Sequence, residues 1–76
     1  MYFRRLRDLR EDHDLSQEKI GAILNIRQNV YSRYERGIQP IPLMHLLTLA
    51  DLYETSTDYI LGRTDNPVPY EKRRKK

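Results

Sequence analysis

The chain of 76 residues contains no cysteine and no tryptophan, and only three glycines and two histidines. Without cysteine it can form neither disulfides nor thiolate metal sites. No apolar run approaches the roughly 18 residues of a membrane span, and the opening MYFRRLRDLRED lacks the apolar segment of a signal peptide. We therefore expect one small cytoplasmic domain with no metal, no cofactor and no membrane partner.

Catalytic chemistry is also poorly represented. His13 and His45 are the only histidines, no glycine loop could hold a phosphate, and no paired carboxylates would meet in a cleft of so small a domain. We interpret both histidines as structural or exposed. The sequence predicts no enzyme, no catalytic residue and no small-molecule substrate.

The net charge of +3 comes from the end of the chain. Residues 1–65 hold 9 Lys/Arg and 10 Asp/Glu, whereas residues 66–76 hold 5 and 1. An affinity of the domain for an anionic partner would therefore depend on charges grouped on one side. We expect a folded domain over residues 1–65 and a flexible basic tail over residues 66–76.

Residues 17–37, QEKIGAILNIRQNVYSRYERG, carry the pattern of two short helices joined by a tight turn. Their apolar residues recur with helical spacing at Ile20, Ile23 and Leu24, and again at Val30, Tyr31 and Tyr34. Ser16 suits the N-cap of the first helix, and Asn25 suits the left-handed position that ends it. Gly21 costs about 1 kcal/mol against Ala inside a helix, so it predicts close approach of the second helix.

The outer face of the second helix has no acidic residue. It presents Gln28, Asn29, Ser32, Arg33 and Arg36. Gln and Asn can pair with adenine edges, and Arg with guanine O6 and N7, so this face has the chemistry of major-groove recognition. A solvated helix face is the alternative, although such a face more often includes Glu or Asp. We interpret the segment as a DNA-binding helix-turn-helix.

This segment resembles the helix-turn-helix of phage repressors and Cro, the Xre family, in which Gln opens the first motif helix and a segment like SRYERG closes the second. The likeness extends from about Leu6 to Gly62. It implies an all-α, compact five-helix domain that binds double-stranded DNA. Base contacts are implied for Gln28, Asn29, Ser32 and Arg33, and phosphate contacts for Gln17 and Arg36.

The sequence departs from the family pattern at four positions. Gly21 stands where the family usually has Ala, and Asn25 and Asp14 stand where it has Gly. Arg27 replaces a Ser or Thr N-cap, so the second motif helix loses a side-chain cap and gains a cation near DNA. We add Arg27 to the expected phosphate contacts.

Arg10 lies within the apolar stripe of a helix expected over residues 3–13. An arginine on a core face is costly unless it is paired. We predict an ion pair with Glu35 beside the recognition helix, as family members often have; the alternative is that Arg10 extends to solvent. The remaining arginines of this helix, Arg4, Arg5 and Arg7, are interpreted as a solvated face.

A fourth helix is expected over residues 42–54, and Ser56 suits the N-cap of a short fifth helix that ends at Gly62. The main apolar stripe of the fourth helix is predicted as Leu43, Leu46, Leu47, Ala50 and Tyr53, widened by Met44, Leu49 and Leu52. This surplus indicates either a nearly surrounded helix or a dimer surface.

Tyr59, Ile60 and Leu61 are three consecutive apolar residues, of which at most two can face the core. The family resemblance implies that one of them, with the 38–44 loop, contacts a second subunit. Partial exposure in a monomer is the alternative.

The basic tail ends in KRRKK. It has three interpretations: a solvated terminus, an arm that adds non-specific phosphate contacts, or attraction to an anionic membrane. We prefer the arm if the domain binds DNA.

The leading functional hypothesis is a sequence-specific DNA-binding transcriptional regulator, a dimeric repressor on an inverted repeat. A protein-interaction module on the same fold, such as an antitoxin or an accessory factor, is the alternative.

Overall fold

The chain forms five α-helices in a computed structural model that describes residues 2–69. They are α1 (Arg4–Asp12), α2 (Gln17–Leu24), α3 (Gln28–Glu35), α4 (Leu43–Leu52) and α5 (Thr57–Ile60). Residues 2–69 contain no strand. The all-α five-helix fold predicted from the sequence is confirmed, while the basic residues of the tail lie outside the described range.

The ends of α2 are formed by local hydrogen bonds and backbone geometry. Ser16 Oγ accepts from the backbone N–H of Lys19 at 3.0 Å, which satisfies one donor of the first turn. Asn25 adopts the left-handed conformation with φ 59°, and the chain then turns into α3. Both predicted caps are confirmed, because the sequence supplied the residue types that these two positions require.

Gly21 marks the closest approach of α2 to the start of α3. A Cβ built there would lie 2.9 Å from the carbonyl oxygen of Ile26. The neighbouring backbone is further tied by the Ile26 N–H, which donates to the carbonyl of Gly21 at 2.8 Å. The predicted close approach is confirmed, and the neighbour is the backbone entering α3.

All five helices contribute to one apolar core. Its buried members are Leu6, Leu9, Ile20, Leu24, Tyr31, Tyr34, Leu46, Leu49, Ala50, Tyr53 and Ile60. Each fully buried Leu or Ile contributes about 1.5–3 kcal/mol by leaving water. Ile23, expected on the same stripe of α2, is 40% exposed, since its neighbours Ile20 and Leu24 already occupy the side of α2 that faces the core.

The buried stripe of α4 differs from the prediction. Leu46, Leu49, Ala50 and Tyr53 are buried, at the i, i+3, i+4 and i+7 spacing of a single helix face. The sequence prediction was wrong for Leu43 and Leu47, which are 67% and 44% exposed, and Met44 is 70% exposed. One face of α4 is enough to fill the core, so Leu43, Met44 and Leu47 on another side of the helix remain exposed to solvent.

Arg5 corrects the prediction that Arg4, Arg5 and Arg7 form a solvated face. Its guanidinium donates to the carbonyls of Tyr59 and Thr64, at 2.9 and 2.6 Å, and pairs with Asp65 at 2.7 Å. It also lies 4.0 Å above the ring of Tyr59. Arg5 therefore fastens the end of α5 to α1, whereas Arg4 and Arg7 are exposed as expected.

The end of the described chain also contacts the domain. Ser56 Oγ accepts from the N–H of Tyr59 at 3.0 Å, which confirms the predicted cap of α5. Thr55 Oγ1 donates to the carbonyl of Pro67 at 2.7 Å and holds the following segment. Ile60 is 1% exposed and faces the core, so of the three residues considered for contact with a second subunit only Tyr59 and Leu61 remain available.

Candidate nucleic-acid interface

The two faces of α3 differ in chemistry. Tyr31, Tyr34 and Glu35 are buried against the rest of the domain. The opposite side carries the residues expected to contact DNA: Gln28, Asn29, Arg33 and Arg36 are exposed, and Ser32 is half-buried. The structure therefore exposes four of the five polar residues, three on the eight-residue helix and Arg36 at its C-cap.

The N-terminus of α3 has no side-chain cap. Arg27 occupies the N-cap position with extended backbone, and its side chain makes no capping hydrogen bond. It is exposed beside the first turn, where the helix dipole is positive and disfavours a cation. A nearby anion would offset that unfavourable placement.

The cations of the domain fall into two groups. Five arginines lie within 4 Å of a carboxylate, in the pairs Arg4–Asp8, Arg5–Asp65, Arg7–Glu11, Arg10–Glu35 and Arg63–Asp58. Within residues 2–69, four other cations have no carboxylate partner: Lys19, Arg27, Arg33 and Arg36. All four belong to α2, α3 or their ends. Among residues 2–69, the unneutralised positive charge is therefore concentrated on the helix-turn-helix of residues 17–37, where Glu18 is the only exposed acid.

Arg10 and Glu35 lie together between α1 and the end of α3. Arg10 Nε donates to Glu35 Oε2 at 2.9 Å, and Arg10 Nη2 donates to Oε1 at 3.0 Å. The remaining terminal nitrogen of the guanidinium, Arg10 Nη1, donates to the backbone carbonyl of Leu15 at 2.8 Å. This ion pair was expected from the sequence, and it has the bidentate geometry that Arg favours with carboxylates.

Gln17 joins the same group from the first turn of α2. Its Nε2 donates to Glu35 Oε1 at 3.3 Å, and the side chain is half-buried. Arg36, the residue after α3, borders the same open depression of about 320 Å³. Two of the expected phosphate contacts, Gln17 and Arg36, are thus brought to one place, while Arg27 lies at the other end of α3.

The protonation state of Glu35 follows from its partners. Burial alone would raise the pKa of this carboxyl, but hydrogen bonds from Arg10 and Gln17, with the phenol of Tyr31 close by, outweigh burial and lower the pKa. The hydroxyl of Tyr31 forms no hydrogen bond with any described residue, so its effect on Glu35 comes from proximity alone. The pair with Glu35 in turn raises the pKa of Arg10. Glu35 is therefore an ionised, acceptor-only group at neutral pH.

The contacts that Arg5 makes with the end of the described chain were not predicted from the sequence. Arg5 forms hydrogen bonds with residues 54 to 60 positions away, and the local spacing of α1 does not distinguish it from Arg7. An acid in the segment after α5, Asp65, is the only hint, and it could have paired elsewhere. Burial of one arginine among three depends on the position of α5, which sequence spacing does not specify.

Other kinds of site are not indicated in the described part of the chain. Residues 2–69 hold no group of three or more His, Asp or Glu side chains arranged to bind a metal ion. Among the same residues, no helix is both long and apolar enough to cross a membrane.

Comparison with known proteins agrees with the fold and with the position of the motif. Residues 6–60 match the model of the Helix-turn-helix family HTH_3. The chain therefore belongs to this Xre-type helix-turn-helix family.

Its relatives include named regulators of bacteria and of a phage. The chain is 43% identical over 97% of its length to YobD of Bacillus subtilis, an uncharacterized HTH-type transcriptional regulator. It is 37% identical over 82% of its length to the HTH-type transcriptional regulator ImmR of the same organism. It is also 36% identical over 70% of its length to RstR, a cryptic phage CTXphi transcriptional repressor of Vibrio cholerae.

These relatives are longer proteins. The matched region covers 66% of YobD, 49% of ImmR and 48% of RstR, so the chain spans between about half and two thirds of their lengths. No solved structure gives a significant match to the chain.

Proposed function

We propose that this chain is the DNA-binding domain of a sequence-specific transcriptional regulator, with α3 lying in the major groove of double-stranded DNA. The observation that carries the proposal is the position of the cations. Arg27, Arg33 and Arg36 lack carboxylate partners among the described residues and lie on or beside α3, whereas the arginines of other helices are paired. DNA phosphates would supply the missing negative charge. The names of the relatives support the same function.

The residues of the interface divide into two roles. Gln28, Asn29, Ser32 and Arg33 occupy the exposed side of α3 and would contact base edges, Gln and Asn at adenine and Arg at guanine. Gln17, Arg27 and Arg36 lie at helix ends and would contact phosphates. Contacts of the second kind fix the position of the domain on the duplex but carry no sequence information.

A second copy of the chain would occupy the neighbouring half of an inverted repeat. The exposed apolar side of α4, formed by Leu43, Met44 and Leu47, is the surface proposed for the contact between copies, together with the part of the predicted 38–44 loop that precedes α4, where Ile38 is 64% exposed. Of the residues first expected near the end of α5, Tyr59 and Leu61 are half-buried and would lie at the margin. The half-sites would be separated by about one helical turn, roughly 34 Å. Repression would follow from occupation of a promoter.

A protein-interaction module is the second candidate, favoured by the same apolar surface. Leu43, Met44 and Leu47 could receive a different protein instead of a second copy. In that case the polar side of α3 would have no role in binding, and substitutions there would be without effect.

Selection from a randomised duplex library at about physiological salt tests the proposal, because non-specific phosphate binding is then weak enough for base contacts to show. Wild type is compared with a variant that has Gln28, Asn29 and Arg33 replaced by Ala. A matched control replaces Arg4 and Arg63, exposed arginines that are paired with acids elsewhere. The proposal expects an inverted repeat that wild type and control enrich and the triple variant does not. Absence of any enrichment by wild type would refute it.

Arg33→Ala tests the role of one base contact. We expect it to lower affinity by about 1–3 kcal/mol and to relax preference at one base pair, because a bidentate contact to guanine is lost. Arg27→Ala provides the comparison, since the loss of a phosphate contact weakens binding to all sequences alike. Affinities measured on the selected operator and on single-base variants of it distinguish the two patterns. A uniform loss for Arg33→Ala would reassign it to phosphate.

A further inference from the structure

Gln17 lies at the edge of the open depression between α1, the start of α2 and the end of α3. The walls include three guanidinium groups, those of Arg7, Arg10 and Arg36. Arg7 forms an ion pair with Glu11 at 3.4 Å, and Arg10 forms one with Glu35 at 2.9 Å. Arg36 has no carboxylate partner among residues 2–69 and makes one long hydrogen bond, from its Nε to the carbonyl of Ser32 at 3.4 Å. The positive charge without a carboxylate partner here therefore belongs to Arg36, and the amide of Gln17 keeps one free N–H donor.

The orientation of the Gln17 amide follows from the chemistry of Glu35. An ionised carboxylate can only accept hydrogen bonds, so the amide must direct its NH₂ group, and not its oxygen, towards Glu35. One hydrogen of that group is used on Glu35 Oε1. The second hydrogen of the same NH₂ group remains available to an acceptor outside the protein. A glutamine free to rotate would instead spend its time in several rotamers and both amide orientations.

The position of the carboxylate is itself fixed. Glu35 is the last residue of α3, its side chain is 5% exposed, and both of its oxygens accept from Arg10. Arg10 also binds the carbonyl of Leu15, two residues before Gln17. The same two side chains thus locate the backbone at the start of α2 and the amide that projects from it.

We propose that Glu35 is a positioning residue for DNA binding: without touching DNA, it holds the amide of Gln17 in the orientation that donates to a backbone phosphate. The proposal deepens the function inferred above and rests on it. The phosphate would receive hydrogen bonds from Gln17 and from Arg36, which both line the depression. A buried ion pair between helices would in this way determine the strength of a surface contact.

A double-mutant cycle separates positioning from stability. The Arg10→Met/Glu35→Leu variant removes both charges and fills their space with apolar groups, a replacement that proteins often tolerate. Gln17→Ala is expected to weaken operator binding roughly tenfold in wild type, the loss of one hydrogen bond to a charged group, and less than twofold in the Met/Leu background. Arg36→Ala is the matched control and should cost the same in both backgrounds. Circular dichroism and thermal melting establish that each variant is folded.

Two further measurements cover the case in which the Met/Leu variant does not fold. Glu35→Gln keeps the size of the side chain but can both donate and accept, so it too should reduce the effect of Gln17→Ala. In wild type, the side-chain amide resonances of Gln17 should shift when Glu35 titrates in acid, and again when operator is added.

The outcomes separate the two proposals. An equal cost of Gln17→Ala in wild type and Glu35 variants would overturn the positioning role, as would amide resonances that are insensitive to acid and to DNA. If wild type binds no operator, the proposed function itself fails. If wild type binds and the cycle shows no coupling, only the role of Glu35 fails.

Discussion

At the scale of single residues, the buried polar groups of this domain are of two kinds. Arg10 and Glu35 satisfy each other, and removal of one partner would leave an uncompensated buried charge at a cost of about 3–5 kcal/mol. The hydroxyls of Tyr31 and Tyr53 are also buried, but neither has a hydrogen-bond partner among the described residues. A buried hydroxyl without a partner opposes folding, because it has lost its hydrogen bonds to water.

Tyr53→Phe is therefore expected to maintain or increase stability, by up to about 1 kcal/mol at neutral pH. The measurement is the free energy of unfolding from urea titrations. Tyr2→Phe is the control, since Tyr2 is 57% exposed and its hydroxyl keeps its water. A loss of more than 1 kcal/mol in Tyr53→Phe would show that the hydroxyl has a partner, such as a buried water.

The same substitution has a consequence in alkali. Burial, helped by the nearby charge of Glu35, raises the pKa of Tyr53 to about 12 from its ordinary value of 10.0. The unfolded chain therefore releases this proton first, and stability that is fully present below pH 10 is lost as pH rises through about 12. Tyr53→Phe should make that loss smaller. Burial also raises the pKa of Tyr31, so Tyr31 would still cause part of the loss of stability in the Tyr53→Phe variant.

Two arginines of α1 show what can be predicted at this scale. Arg10 was identifiable because it interrupts an apolar stripe, which requires a buried partner, and the segment offers few buried acids. Arg5 stands at the edge of the apolar stripe of the same helix, and its angular distance from Leu6 is the same as that of Arg7. Its contacts with Tyr59, Thr64 and Asp65 exist only because α5 ends beside α1. Patterns within a helix therefore predict which residue needs a partner, but not which exposed residue acquires one.

At the scale of the secondary-structure elements, the turn between α2 and α3 combines three local requirements. Ser16 caps the first helix, Asn25 supplies the left-handed residue, and Gly21 leaves room for the backbone of Ile26. Each requirement is short-range, and each was predictable from the residue type. The extent of burial on α4 was not, because its choice of face depends on how the other four helices are arranged around it.

Gly21→Val tests the close approach of α2 and α3. A Cβ there would lie 2.9 Å from a backbone carbonyl, which cannot move aside as a flexible side chain can. We expect a loss of stability of about 1–3 kcal/mol beyond the effect on helix propensity. Ala22→Val, at the next and exposed position of the same helix, measures propensity alone and should cost about 0.5 kcal/mol.

The two variants are compared by thermal or urea unfolding. Because Val is a better helix former than Gly, a Gly21→Val variant at least as stable as wild type would mean that the turn relaxes without strain and that Gly21 is not required for the contact. Gly21→Ala should lose less stability than Gly21→Val, because its gain of about 1 kcal/mol in helix propensity opposes the same close contact.

At the scale of the whole molecule, charge and apolar surface are separated. Within residues 2–69, the cations without acidic partners lie on α2, on α3 or at their ends, while the exposed apolar side chains of α4 follow the loop of residues 38–42. Helix order and motif were predictable because helix spacing and capping are local. The identity of the free apolar side was not, since it is whatever remains after the core has been filled. This separation would allow one surface to contact DNA while the other contacts a second copy.

Met44→Asp tests the contact between copies. Met44 is 70% exposed, so a carboxylate there should leave the monomer folded, and its place in the first turn of α4 suits a negative charge. In an apolar contact between two copies, the same carboxylate would be buried without a partner, which is strongly unfavourable. We expect affinity for a full inverted repeat to fall to the affinity for an isolated half-site, while half-site affinity remains unchanged.

Val68→Asp is the control for added charge, because Val68 is 62% exposed and lies on the segment after α5. Binding of each variant to full-site and half-site duplexes, at one salt concentration, gives the comparison. Loss of half-site binding in Met44→Asp would place this side of α4 against DNA. Unchanged binding to both duplexes would remove α4 from the contact between copies, and this apolar surface would then become the first place to search for a different protein partner.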